Sequence, residues 1–131
     1  MADPIGITPD EGETYIAEKI YVNSQLKIGL WVGTWNNIET VEYADATAEF
    51  TKLLSLPGLE EQILANWTIG QSGATHPKIS FTAGSGVTNQ EINGWYIASL
   101  DNRLVHVQRR ETPSFRSSGQ TFTVNTDTEV A

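Results

Sequence analysis

Cysteine is absent from this chain. That excludes a disulfide framework, a thiolate metal site and a cysteine nucleophile. Histidine occurs twice, at His76 and His106, without zinc-ligand spacing. Basic residues are scarce: 8 Lys plus Arg stand against 16 Asp plus Glu, for a net charge of −8. No basic face is large enough to displace counterions, so nucleic acid is not an expected partner. No stretch approaches the ~18 consecutive apolar residues of a membrane helix, so no membrane contact is expected. The start, Met-Ala-Asp-Pro, lacks the basic region and apolar run of a signal peptide, and assembly in a cytoplasm is expected.

Chemistry-bearing motifs are missing too. There is no Gly-Lys-Ser/Thr, hence no phosphate loop. The serines of Gly70-Gln71-Ser72-Gly73 and Gly84-Ser85-Gly86 do not fit a nucleophile elbow, and no helix pattern follows either. Calcium-loop spacing is absent. Glu60 and Glu61 are adjacent acids that point apart on any regular element, so a solvated face is expected rather than a shared acid–base site. His106 reads as a packing residue on a strand. No catalytic, cofactor-binding or metal-binding residue is assigned, no cofactor is expected, and the chain does not read as an enzyme.

What is present suits one folded domain spanning residues 1–131. Hydrophobic residues make up 39% and aromatics 9%, too many for a disordered chain. The acid is lopsided: residues 1–65 hold 11 acids and 3 bases, the remainder 5 of each. Four tryptophans, Trp31, Trp35, Trp67 and Trp95, are many for this length. They suit a core or a protein interface, and less well a sugar-stacking platform. Arg109, Arg110 and Arg116 form a local basic cluster, expected at a strand end in water or against an acidic neighbour.

Taken in order, residues 1–10 carry Pro4, Gly6 and Pro9 and read as an extended arm reaching a neighbouring subunit. A short helix is expected over Gly12–Tyr21. Leu26–Trp35 is a strand. Leu26, Ile28, Leu30 and Val32 take one side, and Lys27, Gly29, Trp31 and Gly33 the other. Glycine there implies a close approach or a bend. Residues 40–54 mix helix and strand signals, and 60–69 begin helix-like and end strand-like. Pro57-Gly58 is a turn, and residues 70–77 a loop. Lys78–Ala83 is a strand with Ile79 and Phe81 inward.

Glu91–Arg110 is the hairpin around which the rest is organised, with Asp101-Asn102 as the turn. Residues 112–119 read as its connector to a last strand, Gln120–Thr126, with Phe122 and Val124 inward. Alternation puts Phe81, Tyr96, Leu100, Val105, Val107, Phe122 and Val124 in one core. The fold class is mainly β: a single β-sandwich, jelly-roll or immunoglobulin-like, with one short N-terminal helix and an extended N-terminal arm.

Several segments carry a resemblance. They are Leu26-Lys27-Ile28-Gly29-Leu30-Trp31, Asn66-Trp67-Thr68-Ile69, Lys78-Ile79-Ser80-Phe81-Thr82, Ile92-Asn93-Gly94-Trp95-Tyr96-Ile97, Leu104-Val105-His106-Val107-Gln108-Arg109 and Gly119-Gln120-Thr121-Phe122-Thr123-Val124. Their texture resembles a set of small structural virion proteins of tailed bacteriophages, loosely from Gly12 to Thr126. His106 stands where that pattern has an aromatic, and Gln108 where it has an acid. The resemblance implies a structural component of the particle, assembled in a host cytoplasm and located in the virion. It also implies that residues 60–68 enter a strand.

A capsid decoration or cement role is the favoured expectation. A tail, baseplate or adaptor component is the alternative, or a receptor- or glycan-binding module. The expected partners are other virion proteins, the major capsid protein or tail proteins, and further copies of the chain. Trp31, Trp35, Arg109 and Arg116 are the interface candidates.

Overall fold

The computed structural model describes residues 6–7, 9, 26–34, 38–64, 68–70, 73–75 and 77–125. The helix expected over Gly12–Tyr21 lies outside them, as do Trp35, Trp67 and His76. Among the described residues ten strands are formed: β1 Gly6–Ile7, β2 Leu26–Val32, β3 Thr51–Lys52, β4 Gln62–Leu64, β5 Thr68–Gly70, β6 Gly73–Thr75, β7 Ile79–Thr82, β8 Gln90–Ser99, β9 Leu104–Arg116 and β10 Thr121–Val124. One short 3-10 turn spans Ile38–Thr40. The protein is mainly β, and every pairing is antiparallel.

The main sheet has six strands in the order β1-β9-β8-β2-β3, with β4 also paired to β2. β7–β10 and β5–β6 are separate two-stranded ribbons. The β8–β9 hairpin is central, because the runs Gly94–Ser99 and Leu104–Gln108 are apolar on both faces and need cover on both. Asn102 takes the turn's left-handed position at φ 68°, which asparagine tolerates better than most residues.

Two apolar clusters fill the two faces of this sheet. The first holds Ile28 and Leu30 of β2, Trp95 and Ile97 of β8 and Val105 of β9. Phe81, Phe122 and Val124 of the β7–β10 ribbon close over them. The second holds Trp31, Tyr96, Ala98, Leu104 and Val107, covered by Val41, Tyr43 and Phe50 from the segment before β3. The alternation read along β2 is therefore the observed one.

The single core expected from alternation is corrected in two ways. Tyr96 and Val107 belong to the opposite cluster from Phe81, Val105, Phe122 and Val124. Leu100 is 47% exposed, because it opens the turn instead of continuing the strand. A β-bulge explains the split within β9. Ile97 pairs with His106 but Ala98 pairs with Leu104, so Val105 is an extra residue. A bulge reverses the alternation beyond it, and Val105 and Val107 part company although they are two apart.

Other expectations are corrected by pairing. The connector expected at residues 112–119 is strand as far as Arg116. A second irregularity in β9, between Ile92 and Gly94 of β8, makes room for Pro113, which cannot donate to a ladder. The loop expected at residues 70–77 contains β6, which pairs with β5. Gln62–Leu64 is strand rather than helix. Within the arm, Gly6 pairs with Gln108 and Ile7 with Val107, so this part of residues 1–10 joins its own sheet. A side chain at Gly6 would collide with Gln108 and His106, so glycine lets the arm lie against β9.

Candidate functional site

The most concentrated group of polar side chains in the described residues lies on the Trp31 side of the sheet. Its geometry starts with two glycines. Gly29 of β2 is opposite Tyr96 of β8, and Trp31 of β2 is opposite Gly94 of β8. Each glycine leaves the space that its partner's ring fills. A Cβ on Gly29 would collide with the Tyr96 ring and hydroxyl, and one on Gly94 would lie 2.8 Å from Trp31 Nε1. Trp31 Nε1 donates to the Gln108 carbonyl at 3.1 Å. The Phe50 ring packs 5.5 Å from Trp31 and 5.7 Å from Tyr96.

Tyr96 thus crosses β2 over Gly29. Gln62 pairs with Ile28, which sets Glu61 abreast of Gly29 on the far side. The Tyr96 hydroxyl donates to Glu61 Oε2 at 2.5 Å, and the Tyr43 hydroxyl donates to the same oxygen at 2.8 Å. The other carboxylate oxygen, Oε1, takes the Lys27 ammonium at 3.1 Å, with side chains only 12% and 17% exposed. Lys27 also donates to Tyr43 Oη at 3.2 Å and to Asn102 Oδ1 at 2.5 Å. Lys52 donates to the backbone carbonyls of Tyr43 and Asp45. Both ammonium groups lie near the Tyr43 ring, at 4.6 Å for Lys27 and 4.4 Å for Lys52.

Burial and charge set the protonation of these groups. Burial raises the Tyr96 hydroxyl far above the usual phenol range, and its bond to Glu61 adds to this, so it stays protonated. Burial also raises Tyr43, helped by Glu61. For Lys27, burial works against the charge, but Tyr43 and Glu61 outweigh it and the ammonium is held above its ordinary value. Burial lowers Lys52, against the pull of Glu61 and Asp45. The cluster is a carboxylate whose acceptors are filled by two phenols and one ammonium from three other segments. It ties the Tyr43 segment and β4 to the central strands.

Sequence reasoning placed Glu61 on a solvated face and missed this cluster. The usable signal was Lys27-x-Gly29-x-Trp31. A lysine on the same strand face as a fully covered tryptophan needs a carboxylate partner.

The four interface candidates fare differently. Trp31 is fully buried in its own fold and presents no surface, because Gly94 admits it between the strands. Trp35 lies outside the described residues. Arg109 and Arg116 are half-buried. Arg116 Nε donates to the Thr121 carbonyl at 2.9 Å, and its guanidinium stands 5.5 Å from the Phe122 ring. It thus serves β10 of its own chain. His106 packs against Trp95 with centroids 5.4 Å apart and shares a 3.0 Å hydrogen bond with Gln108.

Among the described residues, no group of three or more acidic, histidine or cysteine side chains is arranged to hold a metal ion. No helix among them is long and apolar enough to cross a membrane. No family model, no curated protein and no solved structure matches the chain.

Proposed function

We propose that the chain is a structural component of a bacteriophage virion, acting as a capsid decoration protein through protein–protein contacts. On this reading the fold is a single β-sandwich of the jelly-roll or immunoglobulin-like kind, with the β7–β10 ribbon as part of its second layer. One observation supports it most. Three of the segments that resemble virion proteins, Leu26–Trp31, Ile92–Ile97 and Leu104–Arg109, are neighbouring strands of one sheet.

Among the described residues, Trp31 and Trp95 are not partner-facing groups. Trp31 and Trp95 are at most 4% exposed, which also argues against these two as sugar-stacking platforms. Large apolar side chains do stand in water at Leu54, Ile63, Leu100 and Phe115. Ile63 and Leu100 flank the Lys27 cluster: Ile63 is opposite Lys27 on β4, and Leu100 follows Ser99, whose partner is Leu26. An interface draws its energy from a few such anchors, and these two are assigned that role toward the capsid surface.

The test is composition of purified tailless shells. Copies of this protein on such shells, lost on substitution of Ile63 and Leu100 by aspartate, are expected. Shells without it, together with tails that contain it, would transfer the assignment to a tail, baseplate or adaptor component.

A further inference from the structure

An amine, a carboxamide and a carboxylate meet at one point of the Tyr43 cluster. Lys27 Nζ is 2.5 Å from Asn102 Oδ1, across 75 residues of sequence, and 3.1 Å from Glu61 Oε1. These are the groups from which an amide bond forms without a cofactor: a nucleophile, an electrophilic carbon and a proton carrier. We infer that Lys27 and Asn102 form a modification site, where the two side chains join in an intramolecular isopeptide bond with Glu61 moving the protons. The inference does not rest on the virion reading.

Position carries the argument. An amine in hydrogen-bond contact with Oδ1 has Cγ one bond further on, in the range of ~3–3.5 Å from which attack proceeds. Neither partner is free to drift. Lys27 leaves the beginning of β2, where the strand is flanked by β8 and β4, and its amine is held from two further directions by Tyr43 and Glu61. Asn102 is fixed at the left-handed position of the hairpin turn. Its N–H donates to the Ser99 carbonyl at 3.0 Å, and Arg103 N–H to Ser99 Oγ at 2.9 Å. Glu61 is divided in its duties: Oε2 is tethered by the two phenols, and Oε1 faces the amine. The turn is exposed, so ammonia has a way out.

The step balances. A proton first passes from Nζ to Oε1, leaving a neutral amine and a carboxylic acid with no change in net charge. The Nζ lone pair then attacks Asn102 Cγ, forming the Nζ–Cγ bond and moving the carbonyl π pair onto Oδ1. Glu61 gives its proton to Nδ2 and accepts one from Nζ. The carbonyl reforms, the Cγ–Nδ2 bond breaks, and ammonia leaves with the bonding pair. Glu61 finally yields its proton to that ammonia, so the carboxylate is restored and one ammonium ion is released. Nothing is oxidised or reduced. The neutral pair is the minor form, because against burial Tyr43 and Glu61 hold the Lys27 ammonium above its ordinary value. The bond therefore forms slowly, after the fold has assembled.

The experiment is intact-mass spectrometry of the folded full-length chain, aged in buffer and compared with fresh protein, followed by peptide mapping. The expected result is loss of one ammonia, with the Lys27 peptide joined to the Asn102 peptide. The loss should vanish in Asn102→Gly, which keeps the positive-φ turn, and in Lys27→Arg. Glu61→Gln should slow it at least tenfold; should that variant not fold, Asn102→Gly still decides. An unchanged mass in aged wild type would overturn the inference. So would an ammonia loss that persists in Asn102→Gly, which would assign it to succinimide formation at Asn93-Gly94.

Discussion

Tyr96 lies across Gly29, its partner on the neighbouring strand, and its hydroxyl reaches Glu61 on the other side at 2.5 Å. The missing side chain is what lets a residue of β8 bond a residue next to β4 over the strand between them. Glycine in a strand weakens it. Here the loss is offset by a buried ring and a charge-assisted hydrogen bond.

Gly29→Ala should be destabilising for this reason, although alanine has the better strand propensity. The added methyl meets the Tyr96 ring and hydroxyl. Forced overpacking costs about 1–3 kcal/mol, and urea unfolding should show a loss in that range. Tyr96→Phe keeps the ring and removes only the bond to Glu61, and should cost about 1.5–3 kcal/mol. A Gly29→Ala protein as stable as wild type would contradict the crossing.

Trp31→Ala should unfold the protein or come close to it. The indole is fully buried, and truncating a buried aromatic costs about 3–5 kcal/mol. Trp31→Phe should lose less, giving up the Nε1 bond to the Gln108 carbonyl and some volume. Thermal melts followed by tryptophan fluorescence would rank the two. A Trp31→Ala protein that melts like wild type would place the indole outside the core.

Alkali should weaken the fold through the Glu61 cluster. Lys27, Tyr43 and Tyr96 all have raised folded-state values, from ordinary values of 10.5, 10.0 and 10.0. A group raised on folding lends stability that is complete below its unfolded value and is lost as pH climbs through the folded one. Denaturant midpoints should therefore fall above about pH 10. Lys27→Met with Glu61→Leu, which removes the ion pair from both sides, should flatten part of that fall.

Acid acts through His106. Burial lowers its value from 6.5, against the bond to Gln108. A cation lowered on folding lends stability above its unfolded value, lost as pH falls through the folded one. Stability should decline below pH 6.5, and His106→Phe, which cannot protonate, should lose that part of the decline. The ring's contact with Trp95 offers a fluorescence readout of the same titration.

Ile63→Asp and Leu100→Asp should leave the isolated protein within about 0.5 kcal/mol of wild type, since both side chains are already near half-exposed. Incorporation into particles is the property expected to fall. Loss of stability on either change would show these residues to be part of the core.

Much of the strand architecture was legible in the chain itself. The two-sided apolar runs around Trp95 and Leu104 call for a central hairpin, and Asp101-Asn102 marks its turn, because period-two patterning and turn chemistry are local. The glycine-thinned face of β2 was legible as well, though not what fills it. Three things were decided only by tertiary structure. The bulge at Val105 divides the expected core between two faces, and a one-residue insertion is invisible to a pattern that assumes strict alternation. Glu61 turns inward because Gly29 opens a path for Tyr96, a relation among three strands. The Lys27–Asn102 contact joins residues 75 apart. Composition and alternation constrain each strand against water, whereas a side chain's partner depends on which strands become neighbours and in what register.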